Sequence, residues 1–575
     1  MLDPLLDELR YLAGFARGGL APLLRQALGE TTLADVLARW AKTRPHALAL
    51  QVGEVTLDFA ELERLSRGAG AFLERHGAGM GDVVALVGRN SVAYVALLLG
   101  AAQRGITLAL VHPELSGEPL RQALSAARAL RVVCEQALVD PVTSSTDLAV
   151  AAFDADQRIP FALPDHEMAI KPSVRAKDWA LVFTSGTTGL PKACRLPHSR
   201  ALAAACLFGA PLYDFRPGDK LLCALPLHHG SPLMLGLGAC LVTGTPLVLE
   251  RRFSASELMA AARRSGATAL LYVGDVGRML LSSAPSPNDR RHALRVAVGN
   301  GMAVEVWSQF QERFGIAQVR EFYAATESPV GIFNLTGRVG SVGNLPRAWM
   351  FGLKLARIDA ESGELLRDSS GRLQECEPDE PGELLVRARR SGLGVYHGYV
   401  DPEHTEARLL RSAFGDGGDF FRTGDALRRD RDGYYYFVER LGDSFRFKGE
   451  NVSVAQVERE VSRIAGVRDV LVTGVAVPGY DGRAGLAVLV CDPDFSLERL
   501  QALSDRLPRA ALPRFVRLVS ELPRTSSLKL KRRSFADLGV DPARSPGELW
   551  LLLEGKPRRL DSATFGDLVA GRLRL

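Results

Sequence analysis

The chain has 575 residues, enough for several domain-sized units and a large buried core. Hydrophobic residues make up 47% and charged residues 24%, and the 56 glycines and 31 prolines follow no repeat, which excludes wholesale disorder and collagen-like or low-complexity chains. A net charge of +5 is small against 71 basic and 66 acidic residues, so nucleic acid is not required as a partner, although the arginine bias suits an anionic ligand or a lipid surface.

In chain order, residues 1–28 read as an amphipathic N-terminal helix. Leu2, Leu5, Leu6, Leu9, Leu12, Ala16 and Leu20 recur at helical spacing, with Arg10, Arg17 and Arg25 among them. Such a helix packs on its own domain or lies on a membrane surface. Beyond it, short apolar runs at Val83–Val87, Ile106–Val111, Trp179–Phe183, Ala269–Val273 and Leu294–Val298 each sit beside a helix-like stretch. That alternation predicts an α/β fold of parallel or mixed sheets covered by helices. Pro381–Val386 and Gly433–Val438 read instead as antiparallel hairpin strands.

The longest uncharged stretch, Leu221–Leu249, is broken by Pro226, Pro232 and Pro246 and by Gly236, Gly238 and Gly244. It predicts a buried helix, a turn and a strand rather than a membrane span. The N-terminus lacks the basic-then-apolar order of a signal peptide, so the glycosylation patterns at Asn334 and Asn451 read as chance. None of the seven cysteines is spaced C-x-x-C, which predicts reduced thiols and a cytoplasmic setting. A boundary near Leu441–Asp443 separates a large unit, 29–442, from a small α+β unit, 443–575. In the latter, Val452–Ser462 and Leu497–Leu507 read as helices and Val467–Val477 as strand.

The most informative stretch is Phe183-Thr-Ser-Gly-Thr-Thr-Gly-Leu-Pro-Lys-Ala-Cys194. An apolar strand runs into Thr184, Ser185, Gly186, Thr187, Thr188 and Gly189, with Lys192 close behind. Glycines allow a tight turn that presents successive N–H groups to an anion, and the hydroxyls and the ammonium add donors, a composition suited to a polyphosphate. It is not a Walker A loop. By composition alone it equally fits a plain Ser/Thr/Gly turn. As a whole string it resembles the phosphate-binding loop of the adenylate-forming superfamily of acyl-CoA synthetases, adenylation domains and luciferases.

Other motifs of that superfamily follow in order. Leu225-Pro-Leu-His-His-Gly-Ser231 resembles the motif bordering the acyl pocket, with His229 at the family histidine. A core histidine pair, or half of an H-H-x-x-x-D-G acyltransferase motif, is the competing reading; the latter needs Asp where Leu233 stands. Gly299, Asn300 and Gly301, followed by Glu321-Phe-Tyr-Ala-Ala-Thr-Glu327, resemble the adenine and α-phosphate motif. Tyr323 can stack on a purine, Thr326 can donate to phosphate, and Glu327 is a hard oxygen ligand suited to Mg²⁺. Ala324 replaces the usual glycine. Phe421-Arg-Thr-Gly-Asp425 resembles the ribose motif, with Asp425 accepting from the ribose hydroxyls and Arg440 assisting. Asp443 matches the hinge, and Lys448 and Gly449 the start of the CoA-binding small domain. Thr525-Ser-Ser-Leu-Lys529 matches the catalytic-lysine segment; its position after Thr525 selects Lys529 over Lys531, although Ser526 stands where glycine is usual.

Within the superfamily the chain most resembles the fatty acid transport protein and very-long-chain acyl-CoA synthetase branch. The features are Arg252-Phe-Ser-Ala-Ser256, Gly299-Asn-Gly-Met302, Phe447-Lys-Gly-Glu-Asn-Val-Ser453 and the ending Leu568–Leu575. The resemblance implies a large N-terminal domain of mixed sheets flanked by helices, with a β-barrel-like part, and a small mobile C-terminal domain. It implies ATP, Mg²⁺ and CoA as cofactor and co-substrates, and a fatty acid or similar hydrophobic acid as substrate. Catalysis falls to Lys529, Thr326, Glu327 and His229. Peripheral attachment to a membrane accompanies it as an expectation. Transfer to a carrier protein, a different acid, and fatty-acid retention without turnover are the competing readings; His228, where close relatives carry Tyr, keeps a different acid open.

Overall fold

The computed structural model describes Leu9, Ala13 and residues 32–155, 178–185, 191–344, 352–359, 364–391, 394–441, 445–447, 450–477, 483–524, 530–544, 548–553, 556–570, 572–573 and 575. The N-terminal segment 1–28 otherwise lies outside the described residues, as do Gly186, Thr187, Thr188, Gly189, Asp443, Lys448, Gly449 and Lys529.

Two helix-flanked sheets form the body of the large domain. One has six strands in the order Val150–Phe153, Arg131–Glu135, Val83–Val87, Thr107–Val111, Asp178–Ser185, Pro191–Pro197, parallel except for the last pair. The other has eight, in the order Ile332–Phe333, Gln318–Tyr323, Val296–Asn300, Ala269–Val273, Leu221–Cys223, Leu247–Leu249, Leu48–Val52, Val55–Asp58. Its inner strands are parallel and its edge pairs antiparallel. The apolar runs identified in sequence thus become central strands, buried on both faces as parallel strands under helices must be.

Local chemistry explains the element ends. Thr32 and Asp35 close a reciprocal capping box on the helix Leu33–Thr43, and Asp58 and Glu61 do the same for Phe59–Arg75. The helix Val92–Arg104 starts on the Ser91 side chain and stops at Gly105 in the left-handed conformation. It is apolar all round and buried from Val92 to Ala102, as a helix enclosed in the interior must be. It lies so close to Phe59–Arg75 that a Cβ on Gly100 would meet the Ser66 carbonyl at 2.3 Å.

The uncharged stretch resolves into the strand Leu221–Cys223, a π-helical segment Pro232–Gly238, the helix Ala239–Thr243 and the strand Leu247–Leu249. Among the described residues no helix is long and apolar enough to cross a membrane. A third, antiparallel sheet combines Leu353–Arg357, Gly382–Arg387, Phe420–Arg429, Leu409–Leu410 and Tyr435–Arg440 and stands where a barrel-like part was expected.

The small domain has its own core, built on the sheet order Val467–Ala476, Arg483–Cys491, Phe515–Leu518, Glu548–Leu553, Lys556–Arg559. The helix Val454–Ser462 covers it. The helix read at Leu497–Leu507 is a 3₁₀ helix over Leu497–Asp505: Leu497, Leu500 and Leu503 are its buried residues, and a strict spacing of three lines up on a three-fold turn.

One amide joins the two large sheets. Asn90, just beyond the strand Val83–Val87, is buried; its Nδ2 donates to the Leu225 and Glu250 carbonyls at 3.0 and 2.9 Å, and its Oδ1 accepts from the Leu227 N–H at 2.9 Å. Asn90→Ala leaves those three groups unpaired in the interior. It should lower the urea midpoint by an amount equivalent to about 2–4 kcal/mol, against less than about 0.5 kcal/mol for an exposed control such as Ser125→Ala.

Candidate functional site

The parallel strands of the eight-stranded sheet deliver their carboxyl ends to one place, the position where open α/β sheets bind ligands. After Val296–Asn300 the chain turns through Gly299, Asn300, Gly301 and Met302. Gly299 is pressed on Tyr272, where an added Cβ would lie 2.4 Å from its carbonyl oxygen. Gly301 has φ +84°, and Gly274 abuts its carbonyl. The Asn300 Oδ1 is buried without a hydrogen-bond partner. Glu321, on the adjacent strand, grips this turn by accepting from the Gly301 and Met302 N–H groups at 2.6 and 3.1 Å, and from the Tyr272 hydroxyl at 2.5 Å.

Two residues further on, the Tyr323 hydroxyl donates to Asp425 Oδ2 at 2.7 Å. Arg440 Nε lies 3.8 Å from Asp425 Oδ1. Burial, with the Asp425 carboxylate beside it, raises the Tyr323 hydroxyl well above the usual tyrosine range, so it stays a proton donor. Asp425 is set by its own strand. Thr423 Oγ1 donates to the Leu384 carbonyl at 2.7 Å, and the Gly424 N–H donates to Glu383 at 3.2 Å. Glu383 is fully buried and holds Arg422 with both oxygens.

The next turn carries Thr326 and Glu327. Glu327 is buried and accepts from the Tyr399 hydroxyl at 2.9 Å. Arg200 Nη2 donates to the Ser328 carbonyl at 2.6 Å, fixing the turn from the opposite side. Gly230 backs directly on Thr326: a Cβ at 230 would lie 2.9 Å from its Oγ1. The His228–His229 loop therefore borders the same turn. His228 is buried between two other imidazoles, with ring centroids 4.3 Å from His229 and 5.0 Å from His112. Burial, then the two neighbouring histidines, keep His228 well below the usual histidine range and neutral at pH 7. His112 is also lowered, chiefly by burial; Glu114 opposes, and Lys531 and Arg89 add to the lowering.

Thr184 and Lys192 are register partners on the two strands that lead to and from residues 186–190. Leu530 bridges Arg524, so the segment containing Lys529 is bracketed by a pair of described residues. The structure thus brings Gly299, Asn300, Tyr323, Thr326, Glu327, Asp425, Arg440 and His229 to neighbouring turns. The motifs gave no sign of Asn90, His112, Arg200, Tyr272, Glu383 or Tyr399 as contributors, because each acts across sequence separations that only the fold closes. Glu321 stood inside a motif without a role.

Residues 37–400 match the AMP-binding enzyme family, and residues 456–529 match the AMP-binding enzyme C-terminal domain. The chain belongs to this family of adenylate-forming enzymes. It is 34% identical to long-chain fatty acid transport protein 1 of Mus musculus, over 96% of this chain and 90% of that one. It is 35% identical to the medium/long-chain-fatty-acid–CoA ligase FadD6 of Mycobacterium tuberculosis, over 90% and 87%. In fold it is similar to ATP-bound MatB from Rhodopseudomonas palustris, with a TM-score of 0.72, 24% identity and coverage of 88% and 99%. It is also similar to the o-succinylbenzoate CoA synthetase MenE from Bacillus subtilis, with a TM-score of 0.70, 24% identity and coverage of 87% and 97%.

Gly230→Ala is a steric probe of this turn. Its backbone needs no glycine conformation, and the new methyl is directed at Thr326 Oγ1. ATP–pyrophosphate exchange should fall by about ten-fold or more, the cost of about 1.4 kcal/mol of misplaced donor, while the thermal midpoint stays near that of the parent.

Proposed function

We propose that this acid–CoA ligase-type enzyme activates a long- or very-long-chain fatty acid to its acyl-adenylate and then to acyl-CoA. The observation that carries the chemistry is the convergence of the 299–302 turn, the Tyr323–Asp425–Arg440 set and the Thr326–Glu327 turn at the carboxyl ends of one sheet. The fatty acid is supported by near-full-length similarity to proteins whose names carry that substrate.

In the first half-reaction a carboxylate oxygen attacks the α-phosphorus of ATP, the bond to the β-phosphate oxygen breaks, and pyrophosphate leaves. Tyr323 stacks on the adenine, Asn300 Oδ1 accepts from a purine N–H donor, and Asp425 accepts from the ribose hydroxyls with Arg440 beside it. Thr184, Ser185, Gly186, Thr187, Thr188, Gly189 and Lys192 hold the β- and γ-phosphates. Thr326 and Lys529 stabilise the charge that accumulates on the phosphoryl oxygens. His229 bounds the acyl pocket next to Thr326. Glu327 suits Mg²⁺: it is a buried carboxylate with one oxygen engaged by Tyr399, and among the described residues no cluster of three acidic, histidine or cysteine ligands surrounds it. Such a donor set fits an ion held mainly by phosphate oxygens and water, and the ion would supply charge neutralisation at the phosphates.

In the second half-reaction the CoA sulfur attacks the acyl carbonyl, AMP leaves, and the thiol proton is released. The small domain turns about Asp443, withdrawing Lys529 and bringing Lys448 and Gly449 to the pantetheine arm, a gating step that lets one site run two reactions. The cluster of His112, His228 and His229 favours a second reading, a ligase for another hydrophobic acid, because imidazoles beside the reacting end accommodate a polar group that an all-apolar wall rejects. A peripheral membrane contact through residues 1–28 completes the proposal.

ATP–pyrophosphate exchange across acids from acetate to very long fatty acids, with aryl and sterol acids included, tests the substrate. Exchange should peak among the long chains; a peak at aryl or sterol acids replaces the fatty acid with that class, and no exchange in folded protein with Mg²⁺ leaves only fatty-acid binding. Lys529→Ala should abolish exchange yet spare thioester formation from supplied acyl-adenylate. Equal loss of both half-reactions would remove Lys529 from its role.

A further inference from the structure

Glu321 has no part in the reaction set out above, yet it is tightly engaged. It is 3% exposed, and its two oxygens take three donors from two neighbouring strand ends: Tyr272 Oη and the Met302 N–H on Oε1, and the Gly301 N–H on Oε2. An ionised carboxylate can accept all three. A protonated one presents an O–H among three groups that donate to it, so either the Tyr272 hydroxyl reverses to accept or one of the two N–H bonds opens. The turn has little slack of its own, with Gly299 pressed on Tyr272 and Gly274 on the Gly301 carbonyl. Asn300 sits between these fixed points with its Oδ1 unpartnered. The shape of the turn therefore depends on one side chain that reaches across from the next strand.

We propose that the ionised Glu321 carboxylate is a positioning residue that holds the Gly299–Met302 turn in its nucleotide-accepting shape, so that ATP binding weakens when this carboxylate takes up a proton. The inference rests on the adenylation reading and adds an ionisation requirement to it.

Burial pushes the Glu321 carboxyl up to about 7, against the opposing pull of the Tyr272 hydroxyl and the two N–H groups. Protonation therefore falls within the neutral range. Among the described side chains, the other titratable groups on the surrounding elements are engaged elsewhere or lie along their own helices. Tyr323 is bonded to Asp425, and Arg320 donates to the Leu212 carbonyl and to Gln318. Glu305 pairs with Arg463, and Arg313 with Asp289. Glu312 lies on the helix Val304–Phe314 and Arg278 on the helix Gly274–Leu281. Because the folded-state value is raised, this carboxyl stabilises the fold fully below its unfolded value, and that contribution is lost as pH rises through about 7. A loss of ATP binding on the acid side is thus not a loss of fold from this group.

The test uses the full chain. Affinity for a non-hydrolysable ATP analogue is measured by calorimetry between about pH 5.5 and 8.5 for the parent, Glu321→Gln and Tyr272→Phe, alongside KM values in pyrophosphate exchange. Glu321→Gln, which places an amide N–H where an acceptor is needed, should weaken analogue binding about ten-fold at alkaline pH and leave the KM for the acid within about two-fold. Its profile should retain only the acid-side fall owed to the nucleotide's own terminal phosphate. Tyr272→Phe keeps the carboxylate but removes a donor that favours its ionised form, so its acid-side limb should move to higher pH. A folded Glu321→Gln that binds as the parent does or keeps the parent's limb overturns the proposal, as does a Tyr272→Phe limb that does not move. If Glu321→Gln fails to fold, the Tyr272→Phe limb decides alone. A parent that binds no nucleotide overturns the adenylation reading itself.

Discussion

The hydrogen bond from Tyr323 to Asp425 is the constraint on which the site depends. Tyr323 ends a strand of the eight-stranded sheet, and Asp425 sits within a strand of the antiparallel sheet, 102 positions along the chain. Bringing the two sheets to this distance sets an aromatic face and a carboxylate side by side, which is what recognition of a base and its sugar needs. The bond is buried, so an unpaired hydroxyl or carboxylate there would carry its full desolvation cost. That cost makes the sheet-to-sheet geometry hard to relax. Asn90 does equivalent work on the other side, where it ties the six-stranded sheet to the loop that carries His228 and His229.

Close approach of backbones is the second requirement. Gly274 lies against Gly301, Gly299 against Tyr272 and Gly230 against Thr326, each too close for a Cβ. Around them the polar groups are satisfied by residues that do not belong to the motifs: Glu321 for the 299–302 turn, Arg200 and Tyr399 for the 326–328 turn, Glu383 for the turn at 423–425. A site built from loops is thereby held with the precision of strands. The arrangement resembles a shell of buried acceptors and donors around a more exposed set that remains available to substrate.

The small domain is organised for independence. Its core is closed on itself, within residues 445–568. A direct tie to the large domain is the ion pair between Arg463 and Glu305 at 3.0 Å, with both side chains partly exposed. An exposed pair of this kind contributes about 0–1 kcal/mol, little enough to be exchanged for other contacts. A separate core and a weak tie are compatible with the proposed rotation of this domain between two half-reactions.

Much of this was legible in the residues themselves. The apolar runs at 83–87, 106–111, 269–273 and 294–298 mark buried strands to within two residues because a strand covered on both faces admits little but apolar side chains. The Ser/Thr/Gly string and the Tyr323–Glu327 string were readable as motifs of the family because each is contiguous in the chain. The helix read at Leu497–Leu507 is there, and only the structure shows that its turn is 3₁₀. What only the tertiary structure decided is which distant side chains complete those strings. Tyr399 reaches Glu327, Glu321 reaches Gly301, and His112 packs its ring against His228. None of these pairs has a sequence period or a local motif, because each is created by the order of strands in a sheet, and strand order is settled by the packing of the whole core rather than by any one segment.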